Sequence, residues 1–114
     1  MRTDGQVLSG VAATRPFLID PLVFLKGGGE FPGLAGLLPA IICTVSAGGV
    51  LTYNVEITGY PNPTGASGEP WNVADNGSAL TAGANLTFAG AVIAVRARIT
   101  AYTSGTLDVR VIQP

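Results

Sequence analysis

The feature that most limits what this chain can become is the alternation near its C-terminal end. Through residues 91–113, AVIAVRARITAYTSGTLDVRVIQ, the side chains sort by twos. Ile93, Val95, Ala97, Ile99 and Ala101 fall on one side, and Arg96, Arg98, Thr100 and Tyr102 on the other. That period marks a half-buried strand. After Thr103-Ser104-Gly105 it resumes, with Leu107, Val109 and Val111 apolar and Asp108 and Arg110 polar. A three-residue connection ending in Gly suits a hairpin loop, because Gly takes the left-handed conformation without strain. The pattern predicts a C-terminal hairpin in which Tyr102 pairs with Thr106, Ile99 faces Val109, Ala97 faces Val111 and Thr100 faces Asp108. Turn and pattern then agree on one register.

The rest of the chain is punctuated in the same manner. Sixteen Gly and eight Pro, amid abundant Val, Ile, Leu and Thr, favour short strands and turns over long helices. With 114 residues the chain is one domain by length, able to bury about two-thirds of its unfolded surface. Residues 1–16 show no period and read as an extended N-terminal arm or loosely held terminus. Phe17-Leu18-Ile19 and Leu22-Val23-Phe24-Leu25 are apolar runs split by Asp20-Pro21, which predicts a kinked edge strand or two short strands. Lys26 to Glu30 is a Gly-rich loop, and 31–39 reads as a helical turn or an anchored loop. From Ala40 the alternation is firm: Ile41, Cys43 and Val45, a turn at Ala47-Gly48-Gly49, then Leu51, Tyr53, Val55 and Ile57. That predicts a second hairpin. Asp75-Asn76-Gly77-Ser78 signals a turn, and Leu86-Thr87-Phe88 a short strand. Six to eight such strands point to an all-β, antiparallel β-sandwich. Residues 1–39 are assigned to the arm and loops, and 40–114 to the sandwich core.

Composition excludes several kinds of chemistry. There is no histidine, which removes the Ser-His-Asp and Cys-His arrangements and histidine metal sites together. A single cysteine, Cys43, allows no internal disulfide and no thiolate metal cluster, and its apolar flanks suit a small buried hydrophobe. The carboxylates are scattered; Glu56, Glu69 and Asp75 could converge only through the fold. No enzyme activity, cofactor or metal is expected. A net charge of −1 without a basic block argues against nucleic acid as a partner. No apolar run reaches membrane-spanning length and no signal sequence is legible, so a soluble protein made in the cytoplasm, with no membrane partner, is expected. Asn76-Gly77-Ser78 and Asn85-Leu86-Thr87 match the glycosylation acceptor pattern, with no secretion signal to give them meaning.

Three features are candidates for function. Charged residues make up 11% of the chain, against about 25% in an ordinary soluble domain, which suggests an assembly whose surface neighbours cover, the alternative being a tight, weakly charged monomer. Arg96, Arg98 and Arg110 share the polar face of the expected hairpin, Arg98 opposite Arg110 with Asp108 diagonal to it. They read either as inter-subunit contacts or as a solvated face with a local ion pair. The loop 59–70, GYPNPTGASGEP, is too rich in Gly and Pro for regular structure, and long loops in compact domains are commonly functional or mobile. Trp71 closes it, and either plugs the end of the core or, with Tyr60, Asn62 and Asn72, offers a stacking surface to a ligand.

Several of these segments together resemble small virion proteins of tailed bacteriophages. The matching residues are Asn54-Val55-Glu56-Ile57-Thr58-Gly59, Pro61-Asn62-Pro63, Trp71-Asn72, Ala94-Val95-Arg96, Tyr102-Thr103-Ser104-Gly105 and Val109 to Pro114. The resemblance covers residues 50–114. It implies a β-sandwich of jelly-roll type that decorates or cements the capsid, located in the virion and made in the host bacterial cytoplasm. Its partners would be its own copies, a trimer being favoured, and the major capsid protein or other virion proteins. The alternatives are a neck, tail or baseplate component, and a carbohydrate or cell-surface binding module using Tyr60, Asn62 and Trp71.

Overall fold

A computed structural model describes residues 2–11, 15–19, 39–66, 68–88 and 92–113. The expectations for 22–25, 26–30 and, save for Pro39, 31–39 lie outside the described residues. Among those described there are eight strands and no helix: β1 (Arg2–Leu8), β2 (Phe17–Leu18), β3 (Ala40–Val45), β4 (Val50–Thr58), β5 (Asn72–Val73), β6 (Ala84–Thr87), β7 (Ala94–Ser104) and β8 (Leu107–Gln113). They form two antiparallel sheets of four strands each, in the orders β1-β8-β3-β6 and β2-β7-β4-β5. The pairing has a simple rule. First pairs with last, second with seventh, third with sixth and fourth with fifth, as in a chain doubled back on itself midway. The two remaining pairs, β3 with β8 and β4 with β7, roll that doubled chain into two layers.

Alternation determines what lies inside. Ile41 and Cys43 on β3 and Leu107, Val109 and Val111 on β8 come from one sheet. Tyr53 and Val55 on β4 and Val95, Ala97 and Ile99 on β7 come from the other. All ten belong to a single buried apolar cluster. Each fully buried aliphatic side chain stabilises by roughly 1.5–3 kcal/mol, so this shared cluster is what holds the sheets together. Tyr53, with no solvent exposure, keeps its hydroxyl satisfied by donating to the Ala82 carbonyl at 2.7 Å.

The two expected hairpins are corrected by this arrangement. β7 and β8 lie in different sheets: Ile99 is paired with Tyr53, and Val109 with Cys43 and Gln6. β3 and β4 are likewise in different sheets. Both turns are corners between layers, and they are fastened to each other. The Thr106 amide donates to Ser46 Oγ at 2.9 Å, and the Ser46 amide to the Thr106 carbonyl at 3.0 Å. At Gly105 (φ 91°) an added Cβ would sit 2.6 Å from Gly49 Cα, so only glycine allows the corners to meet. Alternation failed to separate hairpin from corner because it reports which side of a strand faces inward and says nothing of its neighbour.

The N-terminal segment is also revised. Rather than an arm, Arg2–Leu8 is an edge strand paired along its whole length with β8, from Arg2↔Gln113 to Leu8↔Leu107. Its period is obscured because Asp4 and Gln6 occupy inward positions at the open edge of the layers, level with Val111 and Val109. Phe17–Leu18 is the edge strand of the other sheet, where Pro21 placed it. Residues 75–78 form the expected turn, with Asn76 at φ 61°, and the strand expected near Leu86 is β6.

Candidate functional site

The outward side chains of β4 and β7 ought to be solvated, and at one end they are not. Glu56 and Arg96 are cross-strand partners on the outer face, yet they are only 7% and 8% exposed. Thr58, two residues on, is also buried. The chain covers them itself. Leaving β4, residues 59–66 and 68–71 return over this face before β5 pairs with Glu56 and Ile57 at the sheet edge.

The cover is organised by one carboxylate. Glu69 accepts hydrogen bonds from the Thr64 amide (2.8 Å), the Thr64 hydroxyl (2.9 Å), the Gly65 amide (2.8 Å) and the Trp71 indole N–H (3.3 Å). The Thr64 amide foremost, with the other donors, holds its pKa down at about 2. At the base of the loop, Thr58 Oγ1 donates to the Pro70 carbonyl at 2.8 Å and accepts from the Tyr60 amide at 3.0 Å. A segment whose composition forbids helix or strand is thus given a defined shape by side-chain oxygens acting on backbone groups. The loop tip passes close to the layer beneath: a Cβ on Gly65 would lie 3.4 Å from Pro16 and 3.9 Å from an Arg96 terminal nitrogen.

Under this cover Arg96 is held from two sides. Its Nε donates to Glu56 Oε1 at 2.8 Å, and its guanidinium lies 4.2 Å from the centroid of the Trp71 ring. Arg98, whose side chain is half exposed, places a terminal nitrogen 4.0 Å from the second Glu56 oxygen. One carboxylate therefore faces two guanidinium groups, and the excess positive charge sits at the solvent-exposed Arg98. The arrangement is a latch: an ion pair shielded from water, with an indole clamped over it by a second carboxylate.

The candidate residues accordingly part company. Arg96 and Arg98 do share a face, but Arg110 lies on β8 in the other sheet, where its Nε donates to Asp108 at 3.1 Å. Arg98 is paired with Asn54, so the expected opposition of Arg98 and Arg110 does not occur. Trp71 is half-buried on the outer face and is no plug of the core. Tyr60 is 42% exposed and Asn62, at φ 55°, is exposed, as the loop reading expected. The pair that the sequence did not reveal is Glu56–Arg96. Its members are 40 positions apart, and only the β4–β7 register joins them. Glu56 and Glu69 are each committed to donors of their own. Cys43 is buried as expected, and burial pushes its thiol up to about 11.

No protein-family model, curated protein or solved structure matches this chain.

Proposed function

We propose that this chain is a structural protein of a tailed-bacteriophage particle, one that decorates or cements the capsid as an oligomer, with a trimer the favoured form. The observation that carries the reading is the nested strand order. Pairing first with last and fourth with fifth, then rolling the result into two layers of four, is the scheme of a jelly-roll sandwich, and that architecture recurs in viral capsid domains. Lectin domains and cupins share it, so the strand order carries the architecture, and two further features favour the particle role over those others. These are the resemblance of the segments ending in Ala94-Val95-Arg96 and Val109 to Pro114, and a surface whose charge is low for a protein meant to stand alone.

The latch suits such a role. It ties residues 59–66 to 68–71 and leaves Tyr60, Asn62 and Arg98 exposed at the surface, where a pre-shaped loop loses little entropy on meeting a partner. A carbohydrate-binding module is less well supported, because the Trp71 ring already lies over Arg96 and its N–H already bonds Glu69.

Two measurements test the proposal. Mass spectrometry of purified particles from cells carrying the gene is expected to find the protein in a fixed ratio to the major capsid protein, and its absence from particles refutes the reading. Light scattering at low and moderate salt is expected to give a stable trimer at both, whereas a ring of six or twelve copies moves the protein to the neck or tail.

A further inference from the structure

The two outer faces of the molecule differ in kind. That of β2-β7-β4-β5 is covered at one end by residues 59–66 and 68–71 and open at Arg98, Thr100 and Tyr102, while that of β1-β8-β3-β6 is exposed or half-exposed along its rows. Register gives the composition of those rows. Val7, Asp108 and Thr44 lie side by side across β1, β8 and β3, and Gly5, Arg110 and Ile42 form the next row. Asp108 and Arg110 are this face's charges on the three strands other than β1, and they pair with each other, Nε to Oδ1 at 3.1 Å and a terminal nitrogen to Oδ2 at 3.4 Å. The pair is exposed, so water screens it and its net worth inside one molecule is under about 1 kcal/mol. The remainder of these two rows is small or β-branched. Val7, 62% exposed, stands beside a glycine row that offers it no cover.

We infer that this face packs against the same face of a second copy, about a twofold axis crossing β8 at Val109. Such an axis places Asp108 over Arg110 of the second copy and Arg110 over its Asp108, so the two internal ion pairs, one in each copy, are exchanged for two between copies. The same operation sets Val7 against Gly5 of the second copy and Thr44 against its Ile42, a large residue meeting a small one at the strand nearest the edge. Moving the axis by one residue, to Asp108 or to Arg110, stacks a charge on its own kind and is disfavoured. The register of the contact is therefore fixed by charge, and the occupant is a second copy because the face is complementary to itself.

The strength of the contact follows from its size. Strands spaced about 4.8 Å apart, with β1 and β8 seven residues long, β3 six and β6 four, at about 3.3 Å per residue present a flat face of about 380 Å². The two copies together cover about 760 Å², below the roughly 1,200–2,000 Å² of stable interfaces. The contact is reversible in solution and becomes effective where many copies are held close together. It goes beyond the particle role and does not depend on it. It is twofold, so it adds to a threefold contact without replacing one.

Sedimentation equilibrium of the full chain from about 1 to 500 µM tests it, with thermal unfolding of every variant confirming the fold. The expected result is concentration-dependent formation of a species of twice 11.5 kDa, or of paired trimers if the threefold contact also forms. Asp108→Arg and Arg110→Asp, each alone, are expected to weaken the pairing at least tenfold. The double exchange Asp108→Arg/Arg110→Asp restores it to within about threefold. The inference is overturned if no twofold species forms over that range, if either single variant pairs as well as the wild type, or if the double exchange fails to recover it. A trimer indifferent to all three variants defeats this contact and leaves the particle role standing.

Discussion

Replacing Arg96 with alanine probes the latch most directly. In the native protein the Glu56 and Arg96 side chains are each 9% exposed, with Nε and Oε1 2.8 Å apart. Removing the guanidinium leaves a carboxylate in a place where water scarcely reaches it, which typically costs about 3–5 kcal/mol. The Trp71 ring also loses the cation beneath it, a contact worth about 0.5–2 kcal/mol. Arg98, already 4.0 Å from the other Glu56 oxygen, can swing toward the vacated position and recover part of this. The balance is a loss of about 3 kcal/mol, a fall in Tm of about 10–20 °C at this chain length. Replacing both partners, Glu56→Leu with Arg96→Met, removes the stranded charge and is expected to leave stability within about 1 kcal/mol of wild type. The coupling between the two sites is then at least about 2 kcal/mol. Urea unfolding followed by far-UV circular dichroism gives the global term, and fluorescence of the single tryptophan, Trp71, reports the loop. A cost below about 1 kcal/mol for Arg96→Ala, or a double variant that loses the sum of its singles, would show that the pair is open to solvent and that residues 59–71 do not cover it.

Three further outcomes follow from other parts of the molecule. Gly105→Ala forces a methyl group to within 2.6 Å of Gly49 Cα at φ 91° and is expected to cost at least about 2 kcal/mol; an unchanged Tm would mean the corners do not touch. The Glu69 carboxyl has a folded pKa lowered from 4.5 to about 2, so its contribution to stability is present above pH 4.5 and is lost as the pH falls through about 2. Urea midpoints of wild type and Glu69→Gln measured from pH 7 to pH 2 should therefore converge as the solution is acidified, and a constant difference would refute the bonding drawn around this carboxylate. The Cys43 thiol, buried and pushed up to about 11, should resist maleimide at pH 8 in the native protein and react once urea unfolds it; fast labelling of the native chain would place it at the surface.

What could be read from the sequence, and what could not, divides along physical lines. The inward rows Val95-Ala97-Ile99 and Leu107-Val109-Val111 were legible because burial follows from alternation within a single strand. Their partners were not, because an inward row meets a core in the same way whether the next strand lies beside it or across from it. Gly105 was legible as a turn, while its contact with Gly49, which makes that turn a corner, is a relation between residues far apart in the chain. β1 was missed because its inward positions include Asp4 and Gln6, polar residues tolerated at an open edge. In the candidate site, the exposure of Tyr60 and Asn62 could be anticipated from the Pro- and Gly-rich loop around them. The burial of Glu56 and Arg96 could not, since outward positions on two strands become interior only once a loop is laid across them.

The nested strand order also bears on how this protein comes into being. β8 takes its place between β1 and β3, so β1 lacks its partner in this sheet until β8 is made. Leu8 and Leu107, which meet in the register, are separated by about a hundred residues, and at roughly 5–20 residues per second a ribosome needs about 5–20 s to bridge them. During that interval β4 can pair with β5, then β3 with β6 and β4 with β7, so the fold grows outward from the middle of the chain toward its ends. A truncated product that stops short of β8 would expose the edges of both β1 and β3 at once, and such chains are expected to aggregate rather than persist as partly folded monomers.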